Sequence, residues 1–147
     1  PIWGRGRAGA HAVSRPQMYV NLPVDDLARS VAFFTALGFA FDARFTDDMA
    51  TCMIVGDDSF VMLLTRRFFQ RFTRKLVCDR ACTEVILCLS QPDRAAVDAM
   101  VARARAAGAD VPEAAVDHGF MYQHGFEDPD GHLWEVMAMD ADALPAA

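Results

Sequence analysis

The chain has 147 residues, with 14 basic and 20 acidic side chains, a net charge of −6 and 53% hydrophobic residues. A chain of this size buries about 70% of its unfolded surface without staples, as one domain or as two small modules sharing a core. Its acidic balance excludes general nucleic-acid binding, and no apolar run of about 18 residues is present to span a membrane.

No basic stretch followed by an apolar core opens the sequence, so a cytoplasmic location is expected. Cys52, Cys78, Cys82 and Cys88 lack CxxC or zinc-finger spacing and are expected to be buried thiols of a reducing compartment. Residues 1–16 are rich in Gly, Ala and Arg and are expected to form a flexible arm. The arm holds a formal GxGxxG match, Gly4 to Gly9, but too few residues precede it to form the strand that a dinucleotide site requires.

From residue 17 the chain reads as two similar halves. In the first, about 17–65, Met18–Leu22 alternates as a strand, Pro23 ends it, and Asp25 or Asp26 caps a helix. Leu27, Val31 and Phe34 mark the buried face of that helix, and Gly38 closes it. Strands are expected near Phe39–Phe45, Ala50–Val55 and Phe60–Thr65. A connector follows at 66–82. Its first part carries Arg66, Arg67, Arg71, Arg74 and Lys75 and no acidic residue. It is expected either to pack Phe68, Phe69 and Phe72 with its charges solvated, or to form a basic rim that attracts an anionic ligand.

The second half, about 83–140, repeats the order. A strand is expected at Glu84–Leu89, then Pro92 at the first position of a helix. Val97, Met100, Val101 and Ala104 form the apolar stripe of that helix, and Gly108 stops it. Strands near Val111–Val116, Gly119–Phe126 and His132–Met139 complete the half, and 141–147 is a tail. The expected fold class is α+β: two paired βαβββ modules forming an open, cleft-bearing, barrel-like sheet. Neither half can bury its own sheet and helix, so the two should share a core.

Strand alternation nominates the cleft. Tyr19 and Asn21 oppose Met18, Val20 and Leu22. Glu84, Ile86 and Cys88 oppose Val85, Leu87 and Leu89. Tyr122 and His124 share a face with Phe120 and Phe126, and Glu135 opposes Trp134 and Val136. If helices cover the more apolar faces, the cleft presents Tyr19, Asn21, Glu84, Tyr122, His124 and Glu135 among apolar walls, the usual form of a small-molecule site. An ionised Glu135 in such surroundings needs a partner, a ligand or water. A Glu84–Glu135 pair would raise one carboxyl pKa and suit proton abstraction beside a carbonyl. Alternatively, both glutamates are satisfied in a buried polar network.

The segment Phe126-Glu127-Asp128-Pro129-Asp130-Gly131-His132-Leu133-Trp134-Glu135, following a Gly-Phe-Met-Tyr strand, resembles the vicinal oxygen chelate superfamily of glyoxalase I, bleomycin-resistance proteins and extradiol dioxygenases. It is most similar there to bacterial lactoylglutathione lyase-like proteins. The resemblance implies two modules curled around a common cleft, a small-molecule ligand and a homodimer, with no nucleic-acid or membrane partner. It also implies metal-ligand positions on four strands. These fall on Tyr19, Met62 (or Leu63, one residue on), Glu84 and Glu135. Tyr19 stands where His or Gln is expected, Met62 where Glu is expected, and Glu84 where His is common. Two carboxylates, a phenol and a thioether make a poor set for nickel or zinc, so the expectation is either no cofactor or a divalent metal held through Glu84 and Glu135. Two functions follow. One is a lyase or isomerase acting by proton transfer, with Glu84 and Glu135 catalytic and Tyr19, Asn21, Met62, Tyr122 and His124 binding substrate. The other is a non-enzymatic protein that sequesters a small molecule, like bleomycin-resistance proteins.

Overall fold

A computed structural model of the protein describes residues 15–144. The expected arm lies almost wholly outside the described residues. Two four-stranded mixed sheets carry the chain, with strand orders β1-β4-β3-β2 and β5-β8-β7-β6. Strand β1 (Met18–Val24) leads into helix α1 (Leu27–Ala36), then β2 (Ala40–Asp42), β3 (Ala50–Ile54) and β4 (Ser59–Thr65). The second module repeats this with β5 (Ile86–Ser90), α3 (Arg94–Ala106), β6 (Val116–Asp117), β7 (Met121–Glu127) and β8 (Leu133–Met139). In each module the first and last strands pair in parallel and the others antiparallel. This is the expected pair of βαβββ units.

Local chemistry sets the helix ends. Asp26 accepts from the Arg29 amide at 3.0 Å and Asp93 from the Ala96 amide at 2.8 Å, each satisfying an orphan donor of its helix. Gly38 and Gly108 follow the two helices with φ of 102° and 101°, a left-handed conformation that only glycine takes cheaply. Asp93 is therefore the cap of the second long helix, and Pro92 precedes that cap instead of opening the helix.

The core lies between the sheets and the helices. Leu22 and Val24 of β1, Val61 and Leu63 of β4, and Trp134, Val136 and Ala138 of β8 join Phe33, Phe34, Val97, Val101 and Ala104 in one buried cluster. Phe34 meets Trp134 with ring centroids 5.2 Å apart, and Phe33 meets Phe126 at 6.0 Å. On α1 the buried face is Ser30, Phe33 and Phe34, while Leu27 packs from the edge.

Four expected strands differ in extent. Pro23 does not end β1; it sits inside it opposite Leu64, at a sheet edge where a missing N–H is tolerated. The strand expected at Phe39–Phe45 stops at Asp42, because Asp42 caps a short 3₁₀ turn over Ala43–Phe45. The strand expected at Glu84 begins at Ile86. The segment expected at Val111–Val116 is extended only at its end, Val116–Asp117.

The connector resolves into α2 (Arg66–Phe69) and a 3₁₀ turn over Gln70–Phe72. The side chain of Thr65 caps α2 by accepting from the Phe68 amide. Phe68 and Phe69 pack on a second small core of Ala50, Cys52, Met62 and Leu64. The connector thus covers part of the first sheet's face opposite the helices.

Candidate ligand-binding site

The turn Asp128–His132 fastens the modules together. Asp128 is 2% exposed and accepts from the Asp130 and His132 amides and from Trp134 Nε1 at 3.0 Å. Asp130, 3% exposed, accepts from the Asp25 amide at 2.8 Å, from Arg29 at 3.2 Å and from the Ser30 hydroxyl at 3.3 Å. Burial pushes the Asp128 carboxyl above its ordinary range, against the opposing pull of His132 and Trp134.

Beside this joint lies a cavity of about 460 Å³. Its walls are Pro23, Leu64, Phe69, Phe72, Leu76, Val77 and Leu133, and its polar groups include Asn21, Arg66, Lys75 and Glu84. Such a volume, with an apolar wall and a mixed set of polar groups that also includes Asp79, Asp130 and His132, suits a small organic ligand. Arg66 is committed to structure: it pairs with Asp25 and donates to the Cys78 carbonyl at 2.9 Å. Lys75 also lines the cavity and makes no ion pair among the described residues. Phe68 and Phe69 thus pack as the first reading expects, Phe72 stays exposed, and Arg66 and Lys75 lie along the cavity.

The expected site residues are not gathered in one place. Asn21 and Glu84 line this cavity. Tyr19 stacks on Phe60 with centroids 4.7 Å apart, and its hydroxyl donates to Gln17 Oε1 at 3.2 Å. Met62 is 1% exposed, beneath the cover that Phe68 and Phe69 form. Glu135 lies in mid-β8 and lines a separate hollow with Ile86, Gln123, His124 and Gly125, so His124 and Glu135 are brought together there. Tyr122 and His124 correct the expected face of β7. They share the side of Phe126, toward α3. Tyr122 donates its hydroxyl to Asp98 of α3 at 2.7 Å, and His124 Nε2 donates to the Glu113 carbonyl at 3.1 Å. Gln123 and Gly125 occupy the Glu135 face instead.

Glu84 does not sit opposite Glu135. The neighbour of Glu135 on β5 is Cys88, whose thiol pKa is raised by burial and then by the Glu135 charge. A register signal for this was present in the sequence. Asn21 lies five residues before the cap Asp26, and Cys88 five before the cap Asp93, so these two positions correspond. The metal-ligand set does not fit a metal within one chain. Met62 offers a covered thioether, Tyr19 is directed to Gln17, and among the described residues no three His, Cys, Asp or Glu side chains converge.

The sequence model of the bleomycin resistance protein-like N-terminal family matches residues 17–56. No curated protein matches the chain. A hypothetical protein of S. aureus superposes with a TM-score of 0.73 at 26% identity, over 88% of this chain and 95% of that one. An antibiotic binding protein from Streptomyces gives 0.63 at 20% identity, over 88% and 100%. Lactoylglutathione lyase from Agrobacterium tumefaciens gives 0.63 at 20%, over 86% and 96%. The chain has the glyoxalase/bleomycin resistance/dioxygenase fold, that of the vicinal oxygen chelate superfamily. Within it, the first module is similar in sequence to the bleomycin-resistance type.

Proposed function

We propose that the protein binds a small, largely apolar organic anion in the cavity between the first sheet, the connector and the start of β8, and holds it without metal. The observation that carries this reading is the cavity itself: apolar walls of adequate volume, with Lys75 the cation at its rim not engaged in an ion pair among the described residues. The antibiotic-binding neighbour supports a sequestering role for the fold, and the separation of Glu84 from Glu135 into different hollows removes the motive for paired-carboxylate chemistry. A proton-transfer role would rest on Glu84 alone.

The probe is 8-anilinonaphthalene-1-sulfonate, an aromatic anion, followed by fluorescence and calorimetry. Leu133→Asp places a carboxylate in the cavity wall and should abolish saturable binding. Val116→Asp, on an exposed strand outside the cavity, should leave it intact. Equal binding by both variants would refute the site. Exchange of a carbonyl compound's α-proton into deuterated water, lost in Glu84→Gln, would favour the lyase or isomerase instead.

A further inference from the structure

The cavity wall contains a thiol pair that ligand binding does not require. Cys78 and Cys82 both line it, at opposite ends of the five-residue run Cys78-Asp79-Arg80-Ala81-Cys82. Asp79 folds that run into a turn: its carboxylate accepts from the Ala81 amide at 2.8 Å and its carbonyl from the Cys82 amide at 3.3 Å. The Cys82 thiol lies 3.8 Å from the same carbonyl. The turn is anchored on both sides. Arg66 donates to the Cys78 carbonyl, and Arg80 donates to the Pro129 carbonyl and lies against Gly131.

We propose that Cys78 and Cys82 form a reversible dithiol–disulfide couple in the cavity wall, a modification site that takes hydrogen peroxide as its oxidant. The turn closes Asp79 onto Cys82 with Cys78 immediately before it, the two thiols lie within hydrogen-bonding reach of each other, and both are free. Their roles differ. Cys82 is exposed, whereas Cys78 is partly covered, and hydrogen bonding to Cys82 raises the Cys78 pKa. Cys82 is therefore the attacking thiolate and Cys78 the resolving thiol.

In the first step the Cys82 sulfur attacks one peroxide oxygen, the O–O bond breaks, and hydroxide leaves as water after taking a proton. Cys82 is then a sulfenic acid. In the second step the Cys78 sulfur loses its proton and attacks the Cys82 sulfur. The S–O bond breaks and a second water leaves. Two thiols give up two electrons, and one peroxide becomes two waters. The bond would close a small ring in the wall of the cavity, so its shape would follow the redox state.

The inference stands without the proposed ligand. The 147-residue chain, treated with stoichiometric hydrogen peroxide, should lose two of its four thiols. Trypsin should then release the peptides 76–80 and 81–94 joined by a disulfide, and dithiothreitol should separate them. Cys82→Ser should abolish the joined species, and Cys88→Ser, which removes the other cysteine of the second peptide, should leave it unchanged. Absence of the joined species in the wild type, its persistence in Cys82→Ser, or its loss in Cys88→Ser would overturn the proposal.

Discussion

His132 donates its Nε2 proton to the carbonyl oxygen of Pro23 across 2.7 Å, linking residues 109 apart in the chain. A carbonyl can only accept, so this bond fixes the tautomer of the ring. Together with Asp130, which accepts from Asp25, Arg29 and Ser30, it fastens the turn before β8 onto the end of β1 and the start of α1. The cavity lies against this joint, so its shape depends on it.

Asp130→Ala should destabilise the protein by about 3 kcal/mol, because it strands the Ser30 hydroxyl of α1 and the Asp25 amide just before the helix cap. Ser30→Ala removes one donor of the same cluster and should cost about 1 kcal/mol. Urea denaturation of both variants checks the ratio; equal losses would show that Asp130 does not organise the joint.

Asp128→Asn keeps shape and should still destabilise, by about 2 kcal/mol. The amide nitrogen would face Trp134 Nε1 or the two backbone N–H groups, donor against donor. The pH dependence has a defined sign. Burial raises the native carboxyl above its unfolded value of about 3.9, so this group's contribution to stability is full below that value and is lost as pH rises through the raised one. Subtracting the Asp128→Asn stability curve from that of the wild type should show this fall in mildly acidic solution. A difference that instead grows with pH there would contradict it.

Gly125→Ala should cost about 1–3 kcal/mol and disturb the Glu135 hollow. A Cβ at that position would lie 2.9 Å from the backbone oxygen of Trp134, which has no side-chain freedom with which to retreat. Thermal denaturation reads the cost. Amide exchange along β7 and β8 shows whether the strands part there.

Glu135→Gln should accelerate alkylation of Cys88 by iodoacetamide near pH 8. Burial and then the Glu135 charge hold the Cys88 proton, and removing that charge raises the thiolate fraction. Mass spectrometry of the modified peptide gives the rate. An unchanged or slower rate would show that Glu135 does not act on this thiol.

Lys75→Glu should weaken binding of 8-anilinonaphthalene-1-sulfonate several-fold, an effect of up to about 1 kcal/mol for an exposed charge that shrinks as salt is added. Arg67→Glu changes the charge equally on an exposed residue outside the cavity and should have little effect. Equal effects of the two variants would mean that net charge, and not Lys75, governs the affinity.

Both modules, their helix caps and their glycine stops were legible from short-range chemistry. Asp26, Gly38 and Gly108 act through neighbours within a few residues. The site was less legible because register is a long-range property. The face of β7 was misassigned: Phe126 joins the core beside Trp134 and carries Tyr122 and His124 with it. One residue of shift exchanges every side chain between faces. Glu84 was drawn into β5 by its apolar successors, although counting back from Asp93 points to Cys88. The cover over Met62 could not be foreseen from alternation, since it comes from a connector folding back onto a sheet face.

Each module pairs its first strand with its last, β1 with β4 and β5 with β8. During synthesis β1 therefore waits for its partner until about residue 65 has left the ribosome, holding an unpaired edge through that interval. Once β4 arrives the first sheet can close, but the far side of its helix stays bare until Phe126 and Trp134 are made. The joint at Asp130 forms only after both long helices and seven of the eight strands have been made. A nascent chain stalled just short of it would hold a first sheet ready to close and a second module still without β8, the strand that joins β5 to β7, with nothing to clasp the two.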